Sequence, residues 1–234
     1  MSETPTERFR REFEDQTDRY LDTLMECTAR LSPALECYGQ DADPFWDELE
    51  AVHRLESDCD DLLQDLRLSV AESMQPNFTG VFFQPGPVLE LFARLDAVPN
   101  AVEQFLTELA AMTPSLSVTA LSDFVRMADI VTDAMATLVS VTADLCDVLC
   151  GTDAGTDDIH RRVESVIAAE SRCDTVRDKL LSDAFAETDT AAALVVRALA
   201  LTLDRAMDAV EDAAEQLVYV DSVTVRSAAS PEPR

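Results

Sequence analysis

Carboxylates recur in this chain at a spacing that can gather a cation. Glu56 and Asp60 stand within Glu56-Ser57-Asp58-Cys59-Asp60, and Asp96, Asn100 and Glu103 follow within Leu95-Asp96-Ala97-Val98-Pro99-Asn100-Ala101-Val102-Glu103. The same signatures return in the same order. Glu170 and Asp174 lie in Glu170-Ser171-Arg172-Cys173-Asp174, and Asp204, Asp208 and Glu211 lie in Leu203-Asp204-Arg205-Ala206-Met207-Asp208-Ala209-Val210-Glu211. The patterns E-S-x-C-D and L-D-x-x-x-(N/D)-A-V-E thus each occur twice. Residues four apart share a helix face, and like charges at that spacing repel. The arrangement therefore costs stability unless water, salt or a bound cation relieves it. Leu203, Met207, Val210, Ala214 and Leu217 form a heptad-like apolar seam, and Asp204, Asp208 and Glu211 each follow a seam residue by one. Leu55, Cys59 and Leu62 precede Glu56, Asp60 and Leu63 in the same way. The acids border the core, where two adjacent helices can bring two pairs together. Four converging carboxylates make an oxygen-only site suited to Mg, Ca, Mn or Fe, and less to Zn. The competing reading is a solvated acidic face, but such a face has no reason to recur at matched positions.

The other reactive residue types add little. Cys59 and Cys173 occupy equivalent places, either as thiolate ligands or as small core residues, and the core role is the commoner one for free cysteine. His53 shares a face with Glu56 and Asp60, but its counterpart in the second copy is Ile167, so the repeat gives it no ligand role. His160 has no evident partner. The two Glu-x-x-His elements of a ferritin-like di-iron site are missing. No nucleotide-binding glycine loop or G-x-S-x-G is present, and two histidines leave few candidates for a catalytic base. The expectation is a protein that is not an enzyme.

These motifs must be carried by helices. The chain has 234 residues, of which 47% are hydrophobic, enough for a buried core, and only five are glycine, too few for a turn-rich β architecture. Forty-six acidic residues oppose 18 basic ones, the formal net charge is -28, and Lys179 is the one lysine. Such a surface repels polyphosphate, so nucleic acid is not expected as a partner. The acids are spread along the whole chain, which points to a surface adapted to high salt and a halophilic source. The polar start suggests no export, so a cytoplasmic location is expected, with reduced thiols for Cys27, Cys37, Cys59, Cys146, Cys150 and Cys173. Asn77-Phe78-Thr79 matches a glycosylation acceptor that means little in such a compartment. No apolar run reaches the ~18 residues of a membrane span, so no direct membrane insertion is expected.

Helical periodicity marks six long segments: about Glu7 to Tyr38, Pro44 to before Pro76, Pro87 to before Pro114, Ser117 to Cys150 with a cap at Gly151, Asp157 to Ala186, and Asp189 to Val220. Short connections make neighbours antiparallel. The expected fold class is all-α, six long helices as two tandem three-helix bundles. The first repeat covers residues 1–114, the second 115–220, and 221–234 form a flexible tail. Residues 76–87, PNFTGVFFQPGP, place Phe78, Val81, Phe82 and Phe83 among prolines and glycines. They read either as a plug over one end of the bundle or as an exposed docking patch.

The doubled arrangement resembles the PhoU-like phosphate-uptake regulators, and is most similar to their short cytoplasmic branch paired with inorganic phosphate transporters. Glu56 and Asp60 with Asp96 and Asn100, and Glu170 and Asp174 with Asp204 and Asp208, match that family's E-x-x-x-D and D-x-x-x-D elements over about residues 7 to 220. The resemblance implies two pseudo-twofold three-helix bundles, carboxylate metal sites, homo-oligomers and a regulatory task at the cytoplasmic face of a phosphate permease. It implies a better metal site at Glu170, Asp174, Asp204 and Asp208 with Glu211 in support. Asn100 leaves the other site, Glu56, Asp60, Asp96 and Asn100 with Glu103 in support, one charge short. A metal-free structural or adaptor bundle is the main alternative. A carboxylate metalloenzyme and a bundle binding apolar peptide through residues 76–87 are further ones.

Overall fold

In the computed structural model, the described residues form eight α-helices in succession, and two pairs of them continue each other across a break. The structure describes residues 4–38, 42–73, 85–150 and 158–229. The helices are α1 (Pro5–Ala29), α2 (Leu31–Cys37), α3 (Ala42–Ser73), α4 (Pro85–Leu95), α5 (Ala97–Met112), α6 (Val118–Leu149), α7 (Ile159–Glu187) and α8 (Thr190–Ala229). The six expected segments are therefore present, with the first and third each broken once. Both breaks have the same cause. Pro33 lies four residues after Ala29 and Pro99 four after Leu95, and each lacks the N–H that would close the ladder there. Most of the aromatic stretch 76–87, and Gly151, lie outside the described residues, so those expectations concern chain beyond this description.

Local signals set the ends. Thr4 caps α1 in a reciprocal box with Glu7. The Ser117 hydroxyl accepts from the Ala120 amide at 3.1 Å, and Asp189 accepts from the amides of Ala191 and Ala192 at 2.9 and 3.1 Å. Thr113 closes α5 in the left-handed region at φ 42°, immediately before Pro114, whose carbonyl accepts from the Tyr38 hydroxyl at 2.8 Å. The last helix runs to Ala229, past the expected end at Val220. Asp221 is buried there and faces His160 at the start of α7, at 3.7 Å.

Within the first half α3 packs on α1 and α5; within the second α7 packs on α6 and α8. The halves join through α1 and α2 with α6, and through α4 and α5 with α8, while among the described residues α3 and α7 do not touch. One continuous apolar core runs through both halves. Phe13 and Tyr20 of α1 meet Phe92 of α4 edge-on, with ring centroids 6.5 and 5.6 Å apart. Phe105 of α5 meets Phe124 of α6 at 5.8 Å, across the two halves. On α8 the buried alanines Ala200, Ala206, Ala213 and Ala214 let neighbouring helices approach closely. Polar bonds cross the same boundary: Thr202 donates to Glu108 at 2.7 Å, and Ser32 to Asp129 at 2.6 Å.

Because Phe92 is fully buried between two rings, Phe92→Ala should lower unfolding stability by about 3–5 kcal/mol in urea titrations. Val118→Ala, at a site 88% exposed, should stay within about 0.5 kcal/mol of wild type.

Candidate functional site

The carboxylates sit on two antiparallel pairs, α3 with α5 and α7 with α8, and the register is the same in both. In the second pair the charge of Glu170 acts on Glu211, and that of Asp174 on Asp204 and Asp208. In the first, Glu103 acts on Glu56, and Asp60 on Asp96. Glu56 thus stands to Glu103 as Glu170 to Glu211, and Asp60 to Asp96 as Asp174 to Asp204. All of these acids border the core, because α3 and α7 each lay one face on their neighbours and leave the adjoining edge to water.

Burial and mutual repulsion leave clear marks. In the second seam Asp204 is buried at 8% exposure. Burial raises Glu170, Asp204, Asp208 and Glu211 above the ordinary carboxylate range, and the neighbouring acids add to the shift. In the first seam burial raises Glu56, aided by Glu103 and Asp60. Asp96 is pushed from 3.8 to about 6 by burial and then by the neighbouring Asp60, against the opposing pull of Arg67 and of the Tyr20 hydroxyl.

The two seams meet this repulsion differently. In the second, Arg177 lies between the helices. Its Nη1 pairs with Asp174 at 2.6 Å and with Asp204 across the seam, and its Nη2 with Asp178 at 3.1 Å. Burial opposes the guanidinium charge, but Asp204, Asp178 and Asp174 together hold it more firmly charged than a free arginine. In the first seam the equivalent position is Leu63, a core residue. There the buried Tyr20 hydroxyl lies 3.4 Å from Asp96 Oδ1 and 3.3 Å from the Phe92 carbonyl. Asn100 turns its amide back to donate to the Asp96 carbonyl at 2.7 Å.

The donor chemistry of the first seam, oxygen only, suits a hard cation. The second seam as arranged does not, because a guanidinium stands between Asp174 and Asp204. Among the described residues, no group of three or more His, Cys, Asp or Glu side chains is set to hold a metal ion. Cys59 and Cys173 are fully buried, and burial pushes the Cys173 thiol up to about 12 and Cys59 higher still, so both are packing residues and not thiolates. His53 reaches across to α5, 3.1 Å from the Thr107 hydroxyl and 3.6 Å from Glu103. Arg177 and Tyr20 are the residues that spacing alone passes over. Arg177 had a legible signal, since it follows Asp174 by three on one helix face; Tyr20 had none, because it comes from α1.

An all-α pair of three-helix repeats, each with an acid-lined seam between its second and third segments, defines the class of this molecule. The fold is that of PhoU-like proteins. A PhoU-like phosphate regulatory protein structure from Shewanella oneidensis MR-1 superposes with a TM-score of 0.74 at 16% identity, over 95% of this chain and 98% of that one. A PhoU-like protein from the same organism superposes with a TM-score of 0.70 at 17% identity, over 90% and 96%. No protein-family model and no curated protein sequence matches the chain. Among the described residues, no helix is long and apolar enough to cross a membrane.

The raised Asp96 fixes the sign of one pH effect. The folded chain holds this proton more tightly than the unfolded chain does, so its contribution is fully present below about pH 4 and is lost as pH rises through about 6. Asp96→Asn should flatten the stability curve between those values and raise stability at pH 8 by about 1–2 kcal/mol, read by urea titration across pH. An unchanged slope would mean that Asp96 ionises as freely folded as unfolded.

Proposed function

We propose that this protein is a PhoU-like regulator of inorganic phosphate transport, acting by binding and not by catalysis. The observation that carries this reading is the end-to-end correspondence with a PhoU-like phosphate regulatory protein, across 95% of this chain and 98% of the other. The duplicated seams support it, since binding surfaces tolerate duplication without needing a nucleophile or a base. On this reading a homo-oligomer docks at the cytoplasmic face of a phosphate permease. The carboxylates are its cation-responsive element, taking Mg, Ca, Mn, Fe or Zn. Glu56, Asp60, Asp96 and Glu103 are the acids nearest to this role; as they stand they are not gathered into a ligand set, so an ion would have to draw the two acid-edged helices together. The acidic surface fits a salt-rich interior, where screening relieves the self-repulsion of a chain with net charge -28.

Three measurements test the proposal. Removing the protein from its host should change the rate of radiolabelled phosphate uptake under replete phosphate, and the tagged chain should crosslink to a phosphate permease. Unaltered uptake in both replete and starved cells would sink the regulator reading. Elemental analysis of protein purified without chelator should find metal in wild type and none in the variant Asp60→Asn/Asp96→Asn/Asp174→Asn/Asp208→Asn; equal content in both would remove the carboxylates from any metal role.

A further inference from the structure

One end of the bundle is apolar and open. Among the described residues eight large apolar side chains are exposed, and five of them stand at this end: Trp46, Met112, Val118, Phe185 and Leu194. Beside them, where α5 and α7 end and α6 and α8 begin, lies a cleft of about 340 Å3 lined by Leu116, Leu180, Val195 and Val196. Trp46 is tied to the same end. It meets Phe45 edge-on, Phe45 meets Tyr38, and the Tyr38 hydroxyl donates to the carbonyl of Pro114 in the cleft wall. The rim is acidic. Asp123, Asp183, Glu187 and Asp189 line the cleft, and no basic side chain does. Lys179 is already spent on Asp123 and Asp183, and Arg197, one turn past Leu194, is not among the walls. Asp43 and Asp47, both exposed, flank Trp46. Scattered apolar side chains are ordinary on a surface, but a gathered patch with a polar rim marks a place where another molecule sits.

We propose that this end is a docking surface for a basic, apolar stretch of a partner protein, whose large apolar side chains enter the cleft while its lysines or arginines meet the acidic rim. This rests on the reading that the protein acts by binding, and it names the surface that binds. Charge and geometry set the other occupants aside. A second copy would bring the same acids against this rim, and like charges inside a closing interface are poorly screened even by salt. An anionic membrane surface is repelled for the same reason. A small molecule in the cleft would leave Val118, Phe185 and Trp46 uncovered. The chain's own residues 74–84 and 151–157 attach at the far ends of α3, α6 and α7. Tethered at both ends, the longer of these segments reaches out by at most about 20 Å, whereas these helices are roughly 45 Å long. A polypeptide segment of opposite charge covers both the cleft and the exposed side chains around it.

The test is fluorescence anisotropy of a short fluorescein-labelled peptide of leucine and lysine, titrated with the full chain in molar salt, which damps diffuse attraction to the acidic surface. A peptide with serine for leucine and one with glutamate for lysine are the controls. The leucine–lysine peptide should bind one saturable site and both controls far more weakly. Val118→Ser/Leu194→Ser should weaken it about tenfold, and Glu187→Lys should weaken it while improving the leucine–glutamate peptide. Leu68→Ser/Tyr219→Ser, at apolar positions away from this end, should bind as wild type. All four of these apolar side chains are more than half exposed, so both double variants should melt close to wild type. Equal loss in the two double variants, or equal binding of the serine–lysine peptide, would overturn the proposal. So would a dimer seen by sedimentation that Val118→Ser/Leu194→Ser dissolves, which would assign the surface to a second copy, or phosphatidylglycerol vesicle binding lost in that variant, which would assign it to lipid. In the host, phosphate uptake that depends on the protein yet is unchanged by Val118→Ser/Leu194→Ser would overturn this surface and leave the regulator reading intact. Uptake that does not depend on the protein would sink that reading, and the peptide measurements would still decide the surface.

Discussion

Repulsion between carboxylates held at the edge of a dry core is the constraint around which this molecule is arranged. On a free helix, two acids one turn apart cost a few tenths of a kcal/mol, because water and salt screen them. Here two helices pack so that four acids share one edge, and part of the water is gone. Each seam must then be neutralised by a proton, an internal cation or an external one. The first half sets the Tyr20 hydroxyl and the charge of Arg67 against Asp96, whereas the second carries Arg177 between its acids. Both solutions keep the register of the flanking helices, since slipping either helix by one residue would turn the acids into the core.

What enforces that register is apolar. α8 touches α4, α5, α6 and α7, and its buried alanines allow this many neighbours at close range. The ring cluster of Phe13, Tyr20 and Phe92 fixes α4 against α1 beside the first seam. Tyr20 joins the two systems, since its ring belongs to the core while its hydroxyl lies against Asp96. A single core across both halves also means that the repeats are not independent: motion in one seam is felt by α8, which serves the second seam and the interface between halves.

The surface obeys a different rule from the seams. Most of the excess acid is exposed, where its cost depends on ionic strength and its local geometry matters little. Lys179 shows how sparingly positive charge is used. It pairs with the buried Asp123 at 2.8 Å and with Asp183 at 3.0 Å, and so ties α7 to the first turns of α6. Positive charge is placed where an acid has lost its water, as Arg177 also shows.

The helical class, the six segments and the doubled acid motifs were determined by the sequence alone. Periodicity, proline spacing and scarce glycine act within one turn of chain, so they can be read without knowing the fold. The breaks at Arg30 and Asp96 were equally local, for Pro33 and Pro99 mark them. Tertiary structure alone decided which helices face each other, that Tyr20 from α1 reaches Asp96, that α8 continues past Val220 beside His160, and that the two seams are neutralised unequally. The physical reason is that the state of a carboxylate depends on what lies across the seam and on how much water remains. A guanidinium three residues away along the chain becomes a counter-ion for Asp204 only when α7 and α8 pack in this register.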